Sequence, residues 1–442
     1  MTLGQEVRFG FRSARKAPVF TSTVLATLAL VIGVNTAIFS VVDAALLRGL
    51  PYLSPDHLVQ VATHIETQRA RITRTGQEGR VWSRLSENLR SLDLAVWSSR
   101  ANEINFVQGA NARLVGVQRV GSGFFRVLGV APAIGREFTP DEDRPGGAPV
   151  VVLGYALWRA AFEEDREAIG RTILLRGEPH TVVGVMPQGF RSTVAADVWT
   201  PLRAAITGEG AGSNYEILGR LRESIRMEKA ASEVATVGVS LLRDHSFPPG
   251  VRAELGLIPL QEGLGMGVRT PLLTLWAGAL AVLLIGSVNI AAMFLARGAA
   301  RTREIAARLA LGALPRAILR ELWVESLLYA FTGGTLGFLV AGGVLASLRT
   351  LGERSFPFLA EVSLDLRVAL ATAFLSLFAC VFFGVAPALG AARVDVRAAM
   401  GGGHRVASGS TRRPLRALVL GQVALVVPLL IAGSLLGRSF AH

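Results

Sequence analysis

The chain has 442 residues, 51% of them hydrophobic, and a mean hydropathy of +0.44. That is too apolar for an ordinary soluble protein, and the apolar residues fall in long blocks, so the chain reads as a membrane protein. Its formal charge of +13 does not indicate nucleic-acid binding, because the excess is not spread over a surface. The stretches 1–18, 297–321 and 391–416 hold sixteen Lys/Arg against four acidic residues, whereas 43–270 is nearly balanced. Basic residues that flank apolar blocks mark cytosolic loops. The lone cysteine, Cys380, lies inside an apolar block, which excludes an intrachain disulfide and a multi-cysteine metal site.

In chain order, residues 1–18 form a basic cytosolic segment and 19–47 a first transmembrane helix, too long for the apolar core of a cleaved signal peptide. Asn35 lies near its middle and reads as a helix–helix hydrogen bond rather than a transport site. Residues 48–270 are polar, mixed and broken by glycine and proline, which indicates an α+β domain outside the cytosol, of one or two lobes. Expected strands are Arg113–Val120, Pro149–Leu153, Arg171–Gly177 and His180–Met186, the last two joined by a turn at Gly177-Glu178-Pro179. Expected helices are Phe124–Leu128, Tyr155–Phe162 and Met227–Arg243. The last of these has Ala230, Val234, Val237 and Leu241 on one face and reads as packed on its own sheet.

A second helix is expected at 271–296, a basic cytosolic segment at 297–321 and a third helix at 322–348. A short outer loop at 349–367, a fourth helix at 368–390, a Gly/Ser-rich basic linker at 391–416 and a fifth apolar segment at 417–436 complete the chain. Asn289 is the other strongly polar residue at the centre of a span. Gly333 and Gly337 have the GxxxG spacing that permits close packing, within the chain or across a dimer. Glu325 lies one turn into its helix, within reach of Arg320 or water.

A search for chemistry finds no site. The chain has two lysines, Lys16 and Lys229, and neither stands in GxxxxGK[ST], so no P-loop is present. The six histidines form no metal spacing, GxSxG is absent, and the carboxylates Asp141–Asp143 and Glu163–Asp165 read as a solvated turn and a helix surface. What stands out is the elbow between the second and third helices. On a helix there, Ile305 and Leu309 share a face near Arg301 and Arg308, with Arg303 and Glu304 turned elsewhere. Such a helix could anchor in the lipid interface or dock in a groove of a cytosolic partner.

Several stretches resemble MacB/FtsX-like ABC transporter permeases, in particular the acidobacterial duplicated orphan permeases. They are NTAIFSVVDAALLRGLPYLSPDHLV (Asn35–Val59), FFRVLGVAPAIGREFTPDEDRPGGAPVVVLGYALW, GRTILLRGEPHTVVGVMPQGF, TREIAARLALGALPRAILRELWVESLL and FGVAPALGAARVDVRAAM. The resemblance implies an α-helical integral membrane protein of the bacterial inner membrane. A MacB-type periplasmic core domain is then inserted between its first and second transmembrane helices. It further implies ATP and Mg bound on a separate cytosolic ABC ATPase, on which the elbow rests through Arg301, Arg303, Glu304, Ile305, Arg308, Leu309 and Leu311. A second permease half or a homodimer partner is expected, with a periplasmic adaptor a further candidate. The expected role is mechanotransmission for efflux or envelope export, without a cofactor in this chain. Ala417–His442 would be the opening of a second half in a truncated duplicated permease. The alternative is a membrane-anchored periplasmic scaffold without ATP linkage.

Overall fold

The computed structural model describes residues 12, 15–108, 111–243, 250–300, 304, 307–308, 310–311, 314–352, 362–392, 420 and 424. The described residues divide into two compact units, one built from 48–267 and one from the helices that precede and follow it.

In the helical unit, α1 runs Pro18–Val42 and continues as a π turn over Asp43–Leu47. Three further long helices are described here by residue range and labelled below. They span Leu260–Ala300, Pro315–Gly352 and Leu366–Ala392. Pro18–Leu47, Leu260–Gly298 and Arg316–Leu348 are long and apolar enough to cross a bilayer, and Leu366–Val381 is a shorter apolar stretch. The helices at both sides of the elbow are longer than the apolar blocks alone indicate. Arg316–Glu321, read from sequence as part of the elbow, lies in the first turns of the helix that starts at Pro315. Proline favours a first helical turn, where its missing N–H costs nothing, so Pro315 sets that start. Most of the segment 417–436, most of the linker 391–416 and most of the loop 349–367 lie outside the described residues.

In the other unit, twelve strands among the described residues form one branched sheet. They are β1 Leu58–Glu66, β2 Arg71–Arg74, β3 Leu92–Ser98, β4 Asn102–Gln108, β5 Asn111–Val120, β6 Ile134–Gly135, β7 Val150–Leu153, β8 Thr172–Leu175, β9 Glu178–Val185, β10 Val198–Pro201, β11 Tyr215–Leu221 and β12 Arg252–Pro259. Between them lie α2 Gly79–Asn88, α3 Phe124–Leu128, α4 Tyr155–Phe162 and α5 Met227–Arg243. The elements Leu260–Ala300, Pro315–Gly352 and Leu366–Ala392 are therefore α6, α7 and α8.

The path β10–β7–β9–β8–β4–β5 closes on itself, because β10 also pairs in parallel with β5. This ring encloses Phe106, Val151, Leu153, Ile173 and Val182, with Trp158 and Phe162 of α4 among them. At Val120 a second strip, β3–β11–β1–β12, leaves the ring through the pair Trp97↔Val120. The strip is covered by α2 and α5, whose Val81, Leu85, Ala230, Val234 and Leu241 pack with Val59, Val61, Ile217 and Leu255. A third apolar core joins ring and strip around α3, where Phe125 sets its ring against Phe124, Phe138, Phe190 and Trp199 at 5.5, 6.2, 5.7 and 5.8 Å.

The β8–β9 hairpin turns one residue earlier than the sequence indicated. Leu175 pairs with Glu178, so Arg176 and Gly177 form the two-residue turn, with φ of 54° and 83°. Positive φ at both positions matches the twist of the flanking strands, and Gly177 is the residue that adopts it without strain.

Candidate functional site at the helical elbow

The elbow is what the fold brings between α6 and α7. Its described residues are Glu304, Ala307, Arg308 and Ala310, all helical, then Leu311 in a turn and Leu314 before Pro315. The Leu311 N–H donates to the Ala307 carbonyl at 3.0 Å, which closes the last turn. Arg308 is the organising residue. One guanidinium nitrogen donates to Glu304 Oε1 at 2.5 Å and the other to Glu321 Oε2 at 3.2 Å, so it ties the elbow helix to the first turns of α7. These pairs are partly solvated and individually worth roughly 0–1 kcal/mol; their effect is to fix geometry. Beside them Leu311 and Leu314 are 89% and 71% exposed. Arg301, Arg303, Ile305 and Leu309 lie outside the described residues. Leu314 escaped the sequence reading, although its place immediately before Pro315 marks it as the elbow's last residue.

Behind the elbow the helices are joined by polar contacts. Glu325 is buried and pairs with Arg297 of α6 at 3.4 Å. Deeper in the unit, Asn35 donates from Nδ2 to the Val31 carbonyl at 3.0 Å and to the Ala279 carbonyl at 2.8 Å, which links α1 to α6. Asn289 sits differently. It is exposed, one heptad from exposed Val282 and two from exposed Leu275, on the outer side of α6.

Gly333 and Gly337 face α1 of the same chain. A Cβ on Gly333 would stand 2.6 Å from Leu28 Cβ, and one on Gly337 3.0 Å from Ile32 Cβ. The partner glycine on α1 is Gly33, whose Cβ would meet the Gly337 carbonyl oxygen at 2.9 Å. The close approach allowed by GxxxG is thus made within the chain. Gly333→Leu is expected to destabilise this packing by about 1–3 kcal/mol, as overpacking does. A lowered midpoint of thermal unfolding in detergent, against an unchanged midpoint for the exposed control Leu336→Ala, would register it.

The carboxylate clusters of the other unit serve its architecture. The Asp143 carboxylate accepts the backbone N–H groups of Ser122 at 2.8 Å and Arg203 at 2.7 Å; burial raises its pKa, and those bonds oppose the rise. It is a loop tie rather than the solvated turn that the sequence suggested. Glu142 pairs with Arg136 at 2.6 Å, and the hydrogen bond from that guanidinium holds its pKa below the usual value. Asp165 caps a short turn through Glu167 N and pairs with Arg171. Burial also raises the pKa of Glu216, against hydrogen bonds from Thr75, Gln60 and Ser99. Among the described residues no group of three or more His, Cys, Asp or Glu is placed to hold a metal ion.

A membrane-helix unit with an α+β domain between its first and second helices places the chain among helical membrane proteins with a large extramembrane domain. Two family descriptions match the chain: the MacB-like periplasmic core domain over 21–237 and the FtsX-like permease C-terminal region over 276–396. The chain belongs to the MacB/FtsX-like ABC permease family, and its α+β domain is a periplasmic core domain of that family. It is 29% identical over 287 residues to the macrolide export ATP-binding/permease protein MacB of Hahella chejuensis, covering 64% of this chain and 42% of that protein. It is 27% identical over 410 residues to the protein of the same name from Wolinella succinogenes, covering 89% of this chain and 60% of that one. The chain thus spans about two fifths of the length of the first of these relatives. Neither matching region is an ATP-binding domain.

Proposed function

We propose that this chain is the permease subunit of an ABC-type mechanotransmitting system in the bacterial inner membrane. In this reading ATP and Mg are bound by a separate cytosolic ATPase, and hydrolysis there is coupled to a change of shape in the periplasmic core domain that drives efflux or envelope export. A second permease half or a second copy of the chain completes the transporter, as the acidobacterial duplicated type would have it, and a periplasmic adaptor receives the output.

The observation that carries the reading is the elbow. A short helix held to α7 by Arg308 presents Leu311 and Leu314 to the outside next to exposed charge. Exposed apolar anchors within a polar rim are what a docking surface needs. No P-loop motif stands in these residues, which agrees with nucleotide being bound elsewhere, on this reading by a separate ATPase.

The test is to place a cysteine at Leu311 in a Cys380→Ala background and label intact spheroplasts and inverted vesicles with a membrane-impermeant maleimide. Labelling confined to inverted vesicles, with no ATP hydrolysis by the purified chain alone, is the expected result. Labelling of Leu311→Cys from the outer side, or hydrolysis intrinsic to the chain, would overturn the reading.

A further inference from the structure

Three helices meet at Arg297. It sits in the last turn of α6, directly before the elbow, with its guanidinium carbon 4.4 Å above the centre of the Phe20 ring of α1. One of its nitrogens lies 3.4 Å from Glu325 Oε1 of α7, and the same nitrogen lies 3.5 Å from the Tyr329 hydroxyl one turn further along. That hydroxyl is 3.0 Å from Thr21 Oγ1, back on α1. Phe20, Phe294 and Tyr329 pack edge to face around the cation, with centroids 5.3 to 6.1 Å apart.

An ionised pair in such surroundings is a poor source of stability, because desolvating both charges offsets most of their attraction; apolar side chains of similar volume would fill the space at less cost. What the pair provides is directional. The cation is met by a carboxylate, a hydroxyl and a ring face from two other helices, and sliding any one helix by a turn breaks several of these contacts at once.

We propose that Arg297, Glu325, Tyr329 and Phe20 form a clasp that holds the ends of α1, α6 and α7 beside the elbow as one body. Displacement arriving at the elbow is then passed to all three helices. The inference rests on the elbow being the point of drive. Arg297, Glu325 and Tyr329 are positioning residues: they act by fixing the helices relative to one another.

The experiment uses the full chain in nanodiscs, Cys380→Ala, with spin labels at Ala296→Cys on α6 and Phe331→Cys on α7, both exposed positions. The parent is expected to show one interspin distance. Glu325→Gln and Arg297→Gln are expected to add a second, longer-distance population, and the exchange Arg297→Glu with Glu325→Arg to restore the single one. Should the single-charge variants fail to fold, Tyr329→Phe removes only a hydroxyl, and labels at Val19→Cys and Phe331→Cys should then report loosening of α1 from α7. Distances unchanged in every variant would overturn the clasp. No ATPase is needed for these measurements. A clasp that behaves as expected in a chain whose elbow never engages an ATPase would sink the drive and leave the clasp standing.

Discussion

Replacing Arg308 by glutamate should reduce retention of the proposed partner ATPase at least about tenfold in co-purification, a loss of about 1.4 kcal/mol or more. The effect has two sources. Reversal removes a cation from the proposed docking face, and it sets a third carboxylate against Glu304 and Glu321, to which Arg308 now donates. The elbow helix would come away from α7, and its apolar residues would lose their orientation. A companion substitution separates these sources. Leu314→Glu leaves both ion pairs intact but places a charge where an apolar contact is expected, and buried apolar anchors dominate interface energies. A similar drop in retention is expected from it. If both variants hold the ATPase as firmly as the parent chain, the elbow is not the docking surface.

Phe125→Ala in the periplasmic core domain should cost about 3–5 kcal/mol, the range for emptying a buried aromatic site. Phe125 is 1% exposed and touches four other aromatic rings, two of them from loops that follow β6 and β9 and one from β10. Rigid neighbours on several elements cannot collapse together into the space, so little of the cavity is recovered by relaxation. For a domain of this size each kcal/mol shifts the unfolding midpoint by roughly 2–4 °C. Tryptophan fluorescence follows the transition through Trp97 and Trp199, which belong to the same core. Phe125→Leu should lose less, since it fills part of the volume. A midpoint unmoved by Phe125→Ala would mean that this aromatic cluster does not hold ring and strip together.

Much of this architecture was legible in the sequence. The long apolar blocks and the arginines beside them announce membrane helices, because no water is available in lipid to satisfy an open backbone. Met227–Arg243 was visible through its three-and-four spacing, and Tyr155–Phe162 and Phe124–Leu128 as helical patterns alternating with the strands. The strands β1, β3, β11 and β12 were not marked out. Their order in the sheet depends on partners more than a hundred residues away, as when Leu58 pairs with Arg220. The elbow drew notice as a run of arginines, and Arg308 was among those singled out. Its carboxylate partner on α7 was hidden, since Glu321 appeared to belong to the loop itself. Glu325 gave no sign of Arg297 either, because a pair 28 residues apart becomes neighbours only when two helices fold side by side.

The ring β10–β7–β9–β8–β4–β5 leaves that lobe without a free margin: each of its strands is zipped to a neighbour on either hand. A ring of that form offers no unpaired edge strand of its own to which another chain could add. Among the described strands the longer open edges lie in the other lobe, at β12 and β2, each paired with β1 alone.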